Sequence, residues 1–166
     1  VDHTVLQDID ITPQGLPIER VRKLMYQMLK SVKHMHDHNY IHRDIKPENL
    51  LISKNGILKL CDFGFARELM HHYTGAVLTD YVSTRWYRAP ELLVGDAKYS
   101  RAVDIWSIGC IFAEIYNGQP LFPGESDIDT LHHILRSLGN NMTCKQKKSF
   151  KKNALFYGVK LPRAGG

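Results

Sequence analysis

The 166-residue sequence predicts a mainly helical fold with one small β-hairpin. Three observations support this. Apolar residues recur at helical spacing over 18–36, two short apolar segments flank an Asn-Gly turn, and a second apolar stretch runs over 103–116. A chain of this length is long enough for one domain with a substantial core.

The segment 18–36 shows the clearest amphipathic pattern. Its apolar positions are Ile18, Val21, Leu24, Met25, Met28, Leu29, Val32 and Met35. Pro17 and Glu19 suit the first turn of a helix, and the polar residues 37–39 end it. His34, His36 and His38 lie two positions apart, which places them on different sides of a helix. They are therefore predicted to be surface or hydrogen-bonded histidines rather than metal ligands.

A β-hairpin is predicted from the two segments that follow. "NLLIS" (49–53) and "ILKLC" (57–61) are joined by Lys54, Asn55 and Gly56, and a short loop ending in Asn-Gly favours a hairpin. From residue 66 to 84 no period holds, which indicates a loop.

Two more helices are expected after this loop. Ser100 can cap a helix over about 101–117 that is apolar on nearly all sides, ends at Asn117-Gly118, and is expected to be buried at the centre of the domain. Ser126 with Asp129 forms an acidic variant of the capping box. The helix it opens carries Leu131, Ile134, Leu135 and Leu138 and ends at Gly139.

The net charge of +5 is distributed unevenly along the chain. Residues 1–129 hold 14 basic and 17 acidic groups, whereas residues 130–166 hold 8 basic groups and no acidic one. Five of these basic groups lie in "KQKKSFKK" (145–152). We interpret this run as a solvated helix face or loop. Binding to nucleic acid is the less favoured alternative, since no aromatic interleaving or recognition motif accompanies the run.

Cysteine and apolar content indicate a cytoplasmic or nuclear protein. Cys61, Cys110 and Cys144 show no paired or metal-like spacing, so reduced thiols are expected. No signal-peptide pattern opens the sequence. The longest apolar run, 105–116, is too short to span a bilayer and contains Glu114, so no membrane association is expected.

Polar residues gather at both ends of the predicted hairpin. Asp44 and Asp62 are 18 positions apart, and a hairpin between them brings its two ends together. Asn49 stands at the start of the first strand, and Lys46 lies close to Asp44. Carboxylate and amide oxygens suit Mg²⁺ rather than zinc. A carboxylate base, metal ligands and a cation together suit phosphoryl transfer.

Four ordered motifs resemble the eukaryotic protein kinases: "HRDIKPEN" (42–49), "DFG" (62–64), "APE" (89–91) and "DIWSIGCIFAE" (104–114). The resemblance implies the C-terminal lobe of that fold over 1–166, with the catalytic loop at 40–50 and the activation segment at 62–91. It implies ATP and Mg²⁺ as cofactors and a Ser or Thr side chain of a protein as the substrate. By this resemblance Asp44 is the catalytic base, Lys46 steadies the transferring phosphate, and Asn49 and Asp62 bind Mg²⁺. Thr84 contacts the catalytic residues, and Asp104 and Glu91 have structural roles.

A narrower resemblance is carried by "TDYVSTRWYRAPELLVGD" (79–96) and "GQPLFPGESDIDTLHHILRSLG" (118–139). These segments resemble the cyclin-dependent-kinase-like family of the CMGC group, which also contains the cyclin-dependent and MAP kinases. The resemblance implies that Thr79 and Tyr81 are phosphorylated by an upstream activating kinase. Arg43 and Arg85 are then expected to capture the added phosphate.

The sequence departs from the kinase pattern by omission. These residues contain no glycine-rich loop, no lysine to follow it, and no arginine of the kind that pairs with Glu91 in the family. The N-terminal lobe is therefore expected to be absent from this chain, leaving it inactive alone. The alternative is a truncated, non-catalytic isoform that docks partners or substrates through the region after Gly118.

Overall fold

The computed structural model describes residues 2–68, 85–140 and 142–161. Within these residues the helices are α1 (Val5–Asp10), α2 (Ile18–Asp37), α3 (Pro90–Leu93), α4 (Ala102–Asn117), α5 (Asp127–Leu138) and α6 (Cys144–Lys152). The strands are β1 (His3–Thr4), β2 (Tyr40–Ile41), β3 (Leu50–Ile52), β4 (Leu58–Leu60) and β5 (Arg67–Glu68). The described chain is mainly helical with a small antiparallel sheet, as predicted.

The predicted hairpin forms, and a third strand joins it. β3 pairs antiparallel with β4, so that Leu50 lies opposite Leu60 and Ile52 opposite Leu58. β1 pairs with the free side of β3 and completes a sheet of order β1-β3-β4. The sequence did not predict β1, because a two-residue strand is too short to show a period. A separate antiparallel pair forms between β2 and β5, and the loop that contains Asp44 begins directly after β2.

Helix α2 packs one face on the core and holds the hairpin turn. Its buried residues are Val21, Leu24, Met28, Val32, Met35 and His36. Ile18 and Leu29 are each 47% exposed, so the predicted apolar stripe was too wide. The Gln27 amide donates to Gly56 O at 3.2 Å and accepts from Leu58 N at 2.9 Å. These bonds fasten the hairpin to the helix.

Helix α4 lies against α2 but is not buried on every side. Its C-terminal end agrees with the prediction, since Gly118 ends the helix in the left-handed region at φ 76°. At the other end the Ser100 hydroxyl accepts from Ala102 N at 3.2 Å, but the N-cap residue is Arg101, which makes no side-chain cap bond, so the predicted cap was one residue too early. However, Ile105, Phe112 and Tyr116 are 44–52% exposed. The expectation of burial on all sides was therefore wrong for one side of the helix.

Helices α5 and α6 begin with side-chain caps. The Ser126 hydroxyl accepts from Asp129 N at 3.2 Å, as predicted. The Asp129 carboxylate instead accepts from Glu125 N at 3.0 Å, one residue before the position that a capping box requires. Helix α6 lies over the basic run, and its Phe150 stacks on Phe156 with ring centroids 4.8 Å apart. None of the described helices combines the length and the apolarity needed to cross a bilayer.

The three cysteines are free thiols in different environments. Cys110 is buried, Cys61 is half-buried and Cys144 is exposed. Burial, followed by the nearby Glu114 carboxylate, raises the pKa of Cys110 to about 12. This thiol therefore stays protonated and behaves as a small apolar group.

Candidate active site

Asp44 lies between β2 and the 3₁₀ turn Pro47–Asn49 that leads into β3. Its Oδ2 is 3.4 Å from Lys46 Nζ, and the two side chains are only 13% and 12% exposed. A carboxylate next to an ammonium group in this partly desolvated position interacts more strongly than a surface pair does. The structure therefore brings the two predicted catalytic side chains together.

Asn49 joins them through its amide. Its Nδ2 donates to the backbone oxygen of Asp44 at 2.8 Å, and the residue is 6% exposed. Because Nδ2 makes this bond, the planar amide points Oδ1 away from the Asp44 backbone. The backbone oxygen of Asn49 accepts from Cys61 N at 2.9 Å. The hairpin thus sets Asn49 opposite the residue that precedes Asp62.

Asp62 adopts the left-handed conformation, with φ 58° and ψ 72°. A non-glycine residue in this region carries backbone strain, which aspartate tolerates through a local hydrogen bond. Here Oδ1 accepts from Gly64 N at 3.3 Å, and the residue is exposed.

The donor atoms near the hairpin mouth fit Mg²⁺ rather than zinc. An amide oxygen from Asn49 and a carboxylate from Asp62 are hard oxygen ligands, and Mg²⁺ commonly completes its shell with water and phosphate oxygens. No group of three or more His, Cys, Asp and Glu side chains is placed to hold a metal among the described residues. The chemistry of the Asn49 and Asp62 donors therefore fits Mg²⁺.

The His42 imidazole connects the loop that contains Asp44 to Cys61, the residue that follows strand β4. Its ring is fully buried, Nδ1 accepts from Asp44 N at 3.2 Å, and Nε2 lies 3.0 Å from Cys61 O. Because Nδ1 accepts a backbone N–H, the proton is on Nε2, which donates to the carbonyl. The ring also packs edge-on against Phe63, with the two ring centroids 5.1 Å apart. The sequence named His42 only as part of a motif and did not assign this role.

Asp104 lies fully buried at the start of α4 and accepts three hydrogen bonds. Oδ1 accepts from Arg43 N at 2.9 Å, and Oδ2 accepts from His42 N at 3.0 Å. The third donor is His36 Nε2 on α2, at 2.7 Å from Oδ2. A buried carboxylate needs such donors, because an unpaired buried charge is costly.

Arg43 and Arg85, the predicted phosphate-capturing residues, both have partners. Arg43 Nη1 donates to the Tyr99 hydroxyl at 2.7 Å, and its guanidinium lies 5.6 Å from the centre of the same ring. Arg85 Nε lies 2.8 Å from Asp127 Oδ1, an ion pair without good hydrogen-bond alignment. Arg88 Nη1 donates to the same oxygen at 3.2 Å. Sequence reasoning missed Asp127, because the contact joins residues about forty positions apart.

Three predicted site residues, Thr79, Tyr81 and Thr84, lie outside the described residues. Glu91 is half-buried in α3, and no ion pair of its carboxylate is found within the described chain. Its backbone oxygen accepts from Asp96 N at 2.8 Å.

A buried acid was also missed by sequence reasoning. The Tyr87 hydroxyl donates to Glu114 Oε2 at 2.5 Å, and these residues are 5% and 3% exposed. The only signal was a glutamate within an otherwise apolar segment, and that signal cannot name its partner.

Comparison with known proteins agrees with the resemblance that the motifs showed. The protein kinase domain family matches residues 1–156. The chain is 58% identical over 162 residues to cyclin-dependent kinase-like 2 of Rattus norvegicus, covering 98% of this chain and 31% of that protein. It is 56% identical to cyclin-dependent kinase-like 2 of Homo sapiens, with 98% and 32% covered.

A second group of relatives is somewhat more distant. The chain is 51% identical over 161 residues to cyclin-dependent kinase-like 4 of Homo sapiens, covering 97% of this chain and 41% of that protein. The chain therefore spans about a third to two fifths of the length of these relatives.

Proposed function

This chain belongs to the protein kinase family, and we propose that it supplies the C-terminal lobe of an ATP-dependent protein serine/threonine kinase. The observation that carries the proposal is the cluster at the hairpin mouth. Asp44 Oδ2 lies 3.4 Å from Lys46 Nζ, and the amide of Asn49 donates to the Asp44 backbone. Family membership supports a kinase, and the similarity to cyclin-dependent kinase-like proteins supports protein substrates.

Each residue of the cluster has a chemical task in this proposal. Asp44 accepts the proton of the attacking hydroxyl and orients it. Lys46 balances negative charge on the transferring phosphoryl oxygens. Asn49 Oδ1 and the Asp62 carboxylate would hold Mg²⁺, which neutralises charge between the nucleotide phosphates when Mg-ATP is bound. Serine and threonine are the expected acceptors, because Lys46 matches the serine/threonine type of catalytic loop and Thr84 matches the threonine that contacts the catalytic residues in that type.

Phosphorylation of Thr79 and Tyr81 is proposed as the regulatory step. A phosphate near Arg85 competes with Asp127 for the guanidinium, because both are anions that bind the same donor. We expect Thr79→Ala and Tyr81→Phe to lower the activity of the enzyme after treatment with an upstream kinase. Unchanged activity in both variants would remove the regulatory step and leave the catalytic proposal standing.

The decisive test uses the longest reading frame that contains these residues, assayed on a peptide library with Mg-ATP. Asp44→Asn is expected to lower kcat by about a hundredfold or more, since general-base catalysis contributes that much. Asp62→Ala is expected to abolish turnover at ordinary Mg²⁺ concentrations. The matched control is Asp10→Asn, an exposed aspartate of α1. Equal activity of Asp44→Asn and the unmutated enzyme would refute the proposal.

The 166 residues by themselves are expected to be inactive. They contain no glycine-rich loop to cover the nucleotide phosphates, and phosphoryl transfer needs groups positioned on both sides of the nucleotide. We predict that the purified chain phosphorylates no peptide above the level of its Asp44→Asn variant. A clear excess over that variant would contradict this prediction.

The second candidate function is a non-catalytic docking module formed by the region after Gly118. The described residues after Gly118 include α5 and α6, and they are joined to the rest of the protein where Lys145 Nζ lies 2.8 Å from Asp96 Oδ2. This region could therefore present a partner surface without turnover. The transcript upstream of Val1 separates the two functions: a continuous frame encoding a glycine-rich loop and its lysine supports the enzyme, and a start codon directly before Val1 supports the module.

A further inference from the structure

The basic run of the sequence lies on a helix that is fixed against the rest of the protein. Helix α6 begins with a capping box, in which the Thr143 hydroxyl accepts from Gln146 N at 3.1 Å and the Gln146 side chain accepts from Thr143 N at 2.8 Å. Phe150 is 4% exposed and belongs to the hydrophobic core. Asn153, directly after the helix, donates from Nδ2 to Val94 O at 3.4 Å. These contacts make α6 a positioned surface element.

Four lysines of α6 have no acidic partner among the residues that the structure describes. Three of them are exposed and the first is half-buried. The four are Lys147, Lys148, Lys151 and Lys152. Lys145 differs from them, because it is paired with the buried Asp96 carboxylate. Residues 130–166 contain no acidic residue, so this part of the chain supplies no counter-charge of its own.

The spacing of these lysines opposes helix formation. Lys147 and Lys151 are four positions apart, as are Lys148 and Lys152, and like charges at this spacing destabilise a helix. Attraction between lysines and the C-terminal end of the helix dipole is modest and is confined to the last turn. The charges therefore add repulsion to the described fold and little stability. An anionic group bound across this face relieves that repulsion.

Two exposed apolar side chains follow the lysines within five positions. Leu155 is 80% exposed in the 3₁₀ turn Ala154–Phe156, and Tyr157 after it is 94% exposed. Phe156 between them is buried, so the backbone that carries both side chains is held in place. Aromatic side chains beside charged groups are frequent anchors of protein interfaces.

The geometry favours a protein partner over the other large anions. Positions 147–152 cover only about 7.5 Å of helix axis, a short length for following a nucleic-acid backbone. A helix that binds a membrane surface buries its own apolar face in the lipid. In α6 the apolar residue Phe150 is already buried in the core of the protein. A protein segment needs neither a long charged stripe nor a free apolar helix face.

We propose that the basic face of α6, together with Leu155 and Tyr157, binds an acidic segment of a partner protein. Carboxylates of that segment pair with the four lysines, and an apolar side chain of the segment packs on Tyr157. The inference rests on the docking-module function for its biological setting, since it names the chemistry of the docked partner. It is independent of phosphoryl transfer, because α6 contributes no residue to the candidate active site.

Peptide binding tests the charge contact. Protein from the longest reading frame that contains α6 is titrated into a fluorescein-labelled helical peptide with glutamates three and four positions apart around one leucine, and anisotropy is measured. A second peptide has glutamine in place of every glutamate. The glutamate peptide is expected to bind about tenfold more tightly, because several individually weak ion pairs act together. Raising the salt concentration from about 0.1 M to about 0.5 M should narrow the difference.

Two triple variants separate the basic face from the net charge of the protein. The first replaces exposed lysines of α6, and we expect it to weaken binding of the glutamate peptide by about tenfold while leaving the glutamine peptide unchanged. Its substitutions are K148Q, K151Q and K152Q. The matched control removes three exposed lysines of α2 and the β3–β4 hairpin, and its effect should stay below about twofold. Its substitutions are K23Q, K54Q and K59Q.

A further pair of variants tests the apolar contact. Tyr157→Ser is expected to weaken binding of both peptides by about fivefold, because it removes the aromatic anchor beside the lysines. The control is Ile11→Ser, which removes an apolar side chain that is 77% exposed at the end of α1. It should leave both affinities unchanged.

Four results would overturn the proposal. They are equal affinity for the two peptides, equal weakening by the two triple variants, unchanged affinity of Tyr157→Ser, and tighter binding of a different anion than of the glutamate peptide. The last comparison uses a single-stranded RNA oligonucleotide and vesicles of phosphatidylcholine with phosphatidylserine. Tighter binding of either, lost in the α6 triple variant, assigns the face to nucleic acid or to a membrane. None of these results affects the kinase proposal, which the activity of Asp44→Asn decides.

Discussion

The Tyr87 hydroxyl donates a hydrogen bond to Glu114 Oε2 at 2.5 Å inside the core of the protein. Tyr87 belongs to the 3₁₀ turn before α3, and Glu114 to the last turns of α4. Burial raises the pKa of Glu114, the Tyr87 bond opposes this, and the carboxylates of Asp10 and Glu48 raise it further. Burial and the Glu114 charge likewise raise the pKa of Tyr87, so the phenol remains the donor.

The raised pKa of Glu114 predicts a specific pH dependence of stability. The folded state binds a proton more tightly here than the unfolded state, whose pKa is near 4.5. The resulting stabilisation is complete below that value and is lost as pH rises through the folded pKa. We expect Glu114→Gln to become progressively more stable than the unmutated chain as pH rises above 4.5, measured by urea unfolding at several pH values.

A second variant checks the contribution of the phenol. Tyr87→Phe removes the donor while keeping the ring, and leaving a buried carboxylate with one bond fewer is expected to cost about 2 to 3 kcal/mol of unfolding free energy at neutral pH. In the Glu114→Gln background the same change should cost less. If the unfolding free energies of the unmutated and Glu114→Gln chains differed by the same amount at every pH, the raised pKa of Glu114 would be contradicted.

Two glycines of the same α4 region predict opposite effects of alanine. Gly118 has φ 76°, and a Cβ there would lie 2.3 Å from Pro13 O, so Gly118→Ala is expected to cost at least about 2 kcal/mol. Gly109 lies within α4, and a Cβ there would meet nothing within 4 Å. Gly109→Ala is expected to gain about 0.5 to 1 kcal/mol. Thermal unfolding of both variants tests this, and a stabilising Gly118→Ala would be contrary to the fold.

Local patterns made most of the fold predictable from the sequence. The period of α2, the Asn-Gly turn before β4 and the left-handed Gly118 are properties of a few neighbouring residues, and all three appear as expected. The third strand β1 and the exposed side of α4 were not predictable. Pairing of two residues with β3 and burial against distant elements depend on tertiary contacts that a local period does not carry.

In the candidate site, too, local contacts were predictable from the sequence and contacts between distant residues were not. The approach of Asn49 to Asp44 was predictable because the two residues lie five positions apart in one motif. The contacts that hold them were missed, because they join residues far apart in the chain. His36 and Asp104 are 68 positions apart, and Tyr87 and Glu114 are 27 apart. A single sequence indicates that such a buried polar residue needs a partner but cannot identify the partner.

The ion pair between Lys145 and Asp96 predicts a stabilising contact between α6 and the segment after α3. Burial alone would raise the pKa of Asp96, but bonds from Lys145 and from the Lys98 N–H lower it. The stabilisation is therefore present above the unfolded pKa of 3.8 and is lost as pH falls through the folded value. Lys145→Met is expected to cost about 1 kcal/mol at neutral pH, measured by urea unfolding.

The control is Lys148→Met, which removes an exposed lysine from the same helix. Its effect is expected to stay within about 0.5 kcal/mol. The difference between the two variants should shrink in acid, where Asp96 becomes protonated. An equal cost for both lysines at neutral pH would show that only the net charge of the basic helix matters.

The bonds of His42 predict that its ring nitrogens, rather than its shape, hold the catalytic loop. His42→Phe keeps a flat ring next to Phe63 but removes the two ring nitrogens that bond the Asp44 N–H and the Cys61 carbonyl. Losing two partly buried hydrogen bonds is expected to lower the unfolding free energy by about 1 to 3 kcal/mol. His34→Phe, on the exposed side of α2, should change it by less than about 0.5 kcal/mol. Chemical unfolding of the two variants in parallel makes the comparison, and equal stability would mean that the loop is held by packing of the ring alone.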